Sequence, residues 1–378
     1  MDPFSLAWLF WWFDRLKGSL EDYVAEQVDE VADGEVDLGA LIAAMYAHIR
    51  VYSYLAWLGE LGFLRANAED AGISLAWEPS MPGLSPQAFN DAVRQVVRVG
   101  PDKRVHGNRR QIVDRLARRL SDISIEMVAR ETVLRAMNRE HGEMVGWQRY
   151  AGANGHPIAR FYVEANDPDT HVGRAVAADK RLGALVDEGF STYAGAFSQE
   201  LDKDLSELNA RFDAEAAGRV QDSVELAEQF FMLSRRGKST RVGRFLAYAV
   251  VPTGTFTCPF CLMQASRGAI FSVNSFNSKA WSAFAAKNSD YAAKWGIHPG
   301  CDCKFVPVYV GQTRYAGREI VDAAETLWKK NTDAHTLKGF TKWLSSPEGK
   351  AMLDEHMPFV MSADSAARRR ARRKAGLE

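Results

Sequence analysis

Apolar positions recur at three- and four-residue spacing through most of residues 1–150, the spacing of amphipathic helices. "LEDYVAEQVDEVA" and "LGALIAAMYAHIRVYSYLAWLGELGFL" carry it with few breakers, and each predicts a helix. "WEPSMPGLSPQAF" interrupts the pattern with three prolines and predicts a loop, from which Ser85 and Pro86 open a new helix as cap and first-turn residue. That helix gives way at "VGPDKRVHGNRR", and the period resumes from Gln111 for several turns. "ARFYVEA" (159–165) reads as a strand and "NDPDTH" as a turn. Helical spacing returns from about Arg174 to Phe231, and "SRRGKST" breaks it.

From Arg241 onward the period shortens and β-branched residues become frequent, which predicts a small α+β domain containing the strand "CDCKFVPVYV". The helical stretch "AGREIVDAAETLWKK" and a polar tail follow. The fold class expected is therefore mainly α with a small C-terminal α+β domain, which its clustered Cys258, Cys261, Cys301 and Cys303 make a zinc-binding one. Its expected parts are a helical N-terminal domain (1–150), a helical middle region (151–240), the zinc-binding domain (241–312), a helical segment (313–362) and a basic disordered tail (363–378). No internal repeat is present.

With 378 residues the chain can bury a substantial core, and 47% hydrophobic and 25% charged residues are ordinary globular values. The net charge of −1 says little, but its distribution does. The tail "ARRRARRKAGLE" gathers Arg368, Arg369, Arg370, Arg372, Arg373 and Lys374 with no apolar anchor. Such a segment stays unfolded alone and suits phosphate neutralisation without sequence preference. A second basic stretch, Lys103, Arg104, Arg109, Arg110, Arg115, Arg118 and Arg119, is partly balanced by Asp114 and Asp122 and reads first as a solvated helix face. At the other end "FSLAWLFWWF" is an apolar run of about ten residues, half of a bilayer span, and acidic Asp2 stands where a signal peptide carries positive charge. It reads as a buried first helix, with docking onto a partner or a membrane surface as the second reading.

All four cysteines fall between residues 258 and 303, as "CPFC" and, after some thirty-six further residues, "HPGCDC". Thiolates and imidazole suit zinc and exclude magnesium or calcium. Cys258, Cys261, His298, Cys301 and Cys303 are five candidate ligands for an ion that takes four, and the spacing does not choose among them. Disulfide pairing and a redox CxxC are the alternatives. A redox CxxC sits at a helix start after a strand and needs no distant partner. Sulfur dominance favours a closed structural zinc (Zn2+) site over a catalytic one.

The segment "RVGRFLAYAVVPTGTFTCPFCLMQASRGAIF" followed by "GIHPGCDCKFVPVY" resembles the MuF-like minor head (head morphogenesis) proteins of tailed bacteriophages, closest to the actinobacteriophage type. The shared pattern is Arg241-Val242, Pro252-Thr253-Gly254, Cys258/Cys261, Ala265-Ser266-Arg267-Gly268 with Phe271, His298/Cys301/Cys303 and Pro307-Val308. The resemblance covers residues 241–310 and departs from shorter family members in the insert "SVNSFNSKAWSAFAAKNSDYAAKWG". It implies a non-enzymatic minor capsid protein, inside the head or near the portal, acting in assembly, DNA packaging or DNA delivery. Expected partners are portal or other head proteins, through the Trp-rich N-terminal segment among other surfaces, and phage DNA through the tail, with no small-molecule substrate. The expected location is the virion, with the host cytoplasm during assembly. The other function classes open to these residues are a zinc-supported DNA-binding protein and a treble-clef nuclease. The nuclease needs a general-base histidine, whereas His298 alone lies in the window and the zinc spacing already claims it.

Overall fold

The computed structural model describes residues 4–32, 38–72, 78–79, 81–97, 107–137, 147–148, 157–193, 195–196, 245–252, 257–271, 275, 303–309, 312, 314–331 and 336–357. Its described part is mainly helical, with two two-stranded antiparallel sheets. The chain divides into two compact units, residues 1–128 with 143–244, and residues 129–142 with 245–378.

In the first unit, α1 (Leu6–Ala32) and α2 (Leu38–Asp70) are long helices packed together. Every residue of α2 from Val51 to Arg65 is buried, Glu60 and Arg65 included, so this stretch is covered on all sides and forms the unit's centre. Against it pack α1, α3 (Pro86–Val96), α7 (His171–Ala178) and a π-helical turn, Asp122–Glu126, that joins α4 (Arg109–Ser121) to α5 (Met127–Met137). The predicted start of α3 is observed: Ser85 Oγ accepts from the Ala88 amide at 3.3 Å, and Pro86 occupies the first turn. A short ladder pairs β1 (Glu78–Pro79) with β2 (Trp147–Gln148).

The stretch expected as a strand, 159–165, lies instead within helix α6 (Pro157–Asn166). Pro157 at a helix start removes an amide that the first turn leaves unpaired anyway, and a run this short is ambiguous by period. Helix α8 covers residues 180–193, and the expected helical stretch beyond residue 196 lies outside the described residues.

The Trp-rich run belongs to the core of this unit. Phe4, Trp8, Leu9, Trp12 and Phe13 are buried, while Trp11 is 39% exposed. Gly59 gives α2 a flat patch where the Trp12 indole lies, for a Cβ there would stand 2.7 Å from Trp12 Cδ1. Trp12 Nε1 donates to the Leu55 carbonyl at 3.1 Å, which satisfies the one polar atom of a fully buried ring. Lys17 Nζ lies 2.6 Å from the buried Glu126 carboxylate, the partner such a charge requires.

His48 is buried in the same unit, stacked on Tyr23 with centroids 4.0 Å apart, and its Nδ1 lies 3.3 Å from the Ala44 carbonyl. Burial pushes its pKa below the ordinary 6.5, against smaller opposing effects of that carbonyl and of Asp179. The unfolded chain therefore takes up this proton more readily, and stability contributed by neutral His48 is lost as pH falls below about 6.5. We expect the melting temperature to drop between pH 7.5 and 5.5 more steeply in the wild type than in His48→Gln. Parallel drops would remove His48 as the cause.

In the second unit, β3 (Phe245–Val251) pairs antiparallel with β4 (Lys304–Tyr309), from Val251 opposite Lys304 to Phe245 opposite Tyr309. All six residues of β4 are buried. Pro307 lies opposite Tyr248, whose amide donates to the Phe271 carbonyl at 2.8 Å and whose carbonyl accepts from the Phe271 amide at 3.3 Å, so Tyr248 needs no proline N–H. Helix α9 (Pro259–Ala265) packs on β3, on α10 (Arg318–Lys330) and on α11 (Leu337–Leu344), and α12 (Pro347–His356) closes against α10 and α11.

Candidate metal centre

The "CPFC" sequence forms the first turn of α9. Cys258 is its N-cap in extended conformation, and its Sγ accepts from the Cys261 amide at 3.3 Å. Pro259 stands at the first helical position, where its fixed φ starts the helix without losing a bond. Cys261 is buried one turn further on, and Cys258 is half-buried.

After α9 the chain turns through Ser266 and Arg267 to Gly268, whose φ of 72° is the left-handed conformation that glycine adopts without strain. The Gly268 amide donates to the Ala265 carbonyl at 3.0 Å, a helix-ending bond, and Arg267 is exposed at the same turn.

Cys303 lies immediately before β4 and is buried. Because the ladder pairs Val251 with Lys304, Cys303 stands at the end of the sheet from which β3 leads on toward "CPFC". Three of the five candidate ligands are thus described, Cys258 and Cys261 on the first turn of α9 and Cys303 beside β4. Cys258, Cys261 and Cys303 form no disulfide among themselves. Among the described residues no three histidine, cysteine, aspartate or glutamate side chains form a group that could hold a metal. His298 and Cys301, the other two candidates, lie outside the described residues, as does the insert between the half-sites apart from Ser275. The donor set fits zinc by its chemistry, and the capped turn of "CPFC" fits one half of a site. The same turn, at a helix start after a strand, is also the placement named above for a redox CxxC.

One buried contact beside Cys303 escaped the sequence reading. Arg130, on the part of α5 that belongs to this unit, is 1% exposed and directs Nε and Nη2 to the Cys303 carbonyl at 3.4 and 3.2 Å. A signal for it existed. Ile123, Glu126, Arg130, Val133 and Met137 recur at alternating three- and four-residue steps, so the arginine falls on a buried stripe.

The basic tail, Arg368 to Lys374, lies outside the described residues, as do Lys103 and Arg104. On α4, Arg109 faces Asp29 at 3.6 Å and Arg118 faces Asp114 at 3.6 Å, while Arg110 and Arg115 are exposed. Among the described residues no helix is long and apolar enough to cross a membrane.

Residues 174–331 match the model of the VG15 protein family, a phage virion-gene family. The matched stretch is under half of the chain and contains all five candidate ligands. It suggests a phage protein of a virion-associated class. No curated protein and no solved structure matches the chain.

Proposed function

We propose that this protein is a non-enzymatic minor capsid protein of a phage head, placed in the interior or near the portal and acting in head assembly, DNA packaging or DNA delivery. The observation that carries the reading is the VG15 match across residues 174–331, since it includes the whole cysteine window that also carries the MuF-like pattern. In this reading four of Cys258, Cys261, His298, Cys301 and Cys303 hold a structural zinc ion. When bound, the metal cross-links two segments far apart in sequence, a constraint of value to a unit whose described sheet has only two strands. The half-exposed Trp11 is the residue of the N-terminal run that we assign to partner docking. The tail from Arg368 to Lys374 supplies contacts to DNA phosphates.

A second reading, a redox-active "CPFC", is favoured by one observation, the half-buried Cys258 capping α9 with Cys261 buried behind it.

The head-protein reading is tested on particles. Mass spectrometry of gradient-purified virions is expected to find the chain in full heads, and its absence there would overturn the assignment. Purified protein lacking residues 363–378 is expected to lose nonspecific duplex binding at least tenfold at low salt. The intact chain should show the steep salt dependence of a contact to about six phosphates. Unchanged affinity of the truncated chain would remove the tail's role.

A further inference from the structure

We infer that the outward face of α4 is a contact surface for a nucleic-acid backbone, built on the folded helical unit and separate from the tail. The choice of duplex DNA as that backbone rests on the head-protein reading proposed above.

The face follows from the pattern of the helix itself. Ile112, Leu116, Ala117 and Leu120 are buried in the unit, whose α1 and α3 pack on this helix. The other side carries Arg110, Asp114 and Arg118 at four-residue steps with Arg115 beside them, and all four are exposed. Between Arg109 and Ser121 five arginines stand against one aspartate.

Few of these charges are neutralised within the unit. Arg109 lies 3.6 Å from Asp29 of α1, and Arg118 lies 3.6 Å from Asp114, in pairs exposed enough for water to screen them. Arg110 and Arg115 form no ion pair among the described residues. Arg119, one turn beyond Arg115, is half-buried, and its Nε has no hydrogen-bond partner among the described residues.

Arg115 also lines a cleft between α3 and the start of α4. Gln95, Asn108 and Gln111 line it with Val96 and Ile112, and among the described residues no carboxylate does. Its volume of about 270 Å³ is below that of pockets that enclose drug-sized ligands, so it suits one phosphodiester group of a longer polymer. The spacing of the charges fits such a polymer. A helix rises 1.5 Å per residue, so Arg110 to Arg118 extend over about 12 Å, the axial length of roughly three or four phosphates on one strand. The cations of α4 are all arginines, whose planar forks meet phosphate oxygens two at a time.

The test uses the full chain and a fluorescent random-sequence DNA duplex, with affinity read across a salt series and folding checked by circular dichroism. The triple variant Arg110→Gln/Arg115→Gln/Arg118→Gln is expected to bind about tenfold more weakly at low salt. The slope of log affinity against log salt should fall by about two to three. Asp114→Asn removes the one carboxylate of the face and is expected to tighten binding about twofold or more. No loss of folding can produce that gain, so it carries the test should the triple variant fail to fold. The same variants in a chain with glutamine at Arg368, Arg369, Arg370, Arg372, Arg373 and Lys374 separate the face from the tail. A loss by the triple variant that persists there supports the face whatever the tail does. Wild-type affinity and slope in a folded triple variant, or no gain from Asp114→Asn, would overturn the inference and leave α4 a solvated helix. Tighter binding of duplex RNA than of DNA would overturn the choice of DNA. Absence of the chain from full heads would remove the head-protein reading and leave these affinities unchanged, so the two failures are distinct.

Discussion

On the proposed zinc reading, changing Cys258 and Cys303 together to serine is expected to remove about one zinc per chain and to unfold the unit of residues 129–142 and 245–378, while the helical unit around α2 keeps its circular dichroism signal. The size of the effect follows from where the metal acts. Structural zinc in small domains contributes apparent binding energies of about 10–16 kcal/mol, and that energy is folding energy because no preformed site exists in the unfolded chain. The described sheet of this unit has two strands, and α9 has seven residues, so neither element is stable without its neighbours. Elemental mass spectrometry on protein purified under reducing conditions gives the stoichiometry, and limited proteolysis reports which unit opens. A chelator should reproduce the double mutant's cleavage pattern in the wild type. Metal-free wild-type protein with an intact C-terminal unit would reject the zinc reading. If Cys258 and Cys261 in that metal-free protein then oxidised to a disulfide and reversed with a dithiol reductant, the redox reading would take its place.

The features legible in the sequence are those written locally. Ser85 and Pro86 announce α3 because a cap and a first-turn proline act within four residues. Gly268 announces its left-handed turn for the same reason. "CPFC" shows its ligand spacing, yet its placement at a helix start rather than on an isolated turn depends on the residues that follow, Phe260 to Ala265. Less could be read where distant segments decide. The 159–165 stretch has an apolar period that serves either a strand or a helix turn, and α6 shows the helix winning. The π turn at Asp122–Glu126 leaves no mark in the hydrophobic period, because all five of its residues are buried. The partnership of Arg130 with Cys303 is the extreme case, since only the folded chain brings two residues 173 positions apart within a hydrogen bond.

Trp12→Ala is expected to destabilise the helical unit by about 3–5 kcal/mol, whereas Trp11→Ala, one residue away, should cost less than about 1 kcal/mol. The difference lies in what each ring touches. Trp12 fits a slot made by two glycines. A Cβ on Gly59 of α2 would stand 2.7 Å from its Cδ1, and a Cβ on Gly189 of α8 would stand 3.2 Å from its Cζ2. Its ring stacks on Trp8 at 5.5 Å between centroids, and its Nε1–H donates to the Leu55 carbonyl. Alanine there leaves an indole-sized void between α1, α2 and α8 that close-packed helices fill only in part. For a unit of this size the loss corresponds to roughly 6–20 °C in melting temperature. Trp11 is 39% exposed and carries the Arg15 guanidinium over its ring at 4.9 Å, an exposed cation–π contact of about 0.5–1 kcal/mol. Thermal melts of the two variants therefore separate the packing role of the N-terminal run from its proposed docking role. Trp11→Ala should melt close to the wild type and yet enter heads less efficiently, and normal incorporation of that variant would end the docking proposal. Equal destabilisation by the two substitutions would contradict the packing described for α1 itself.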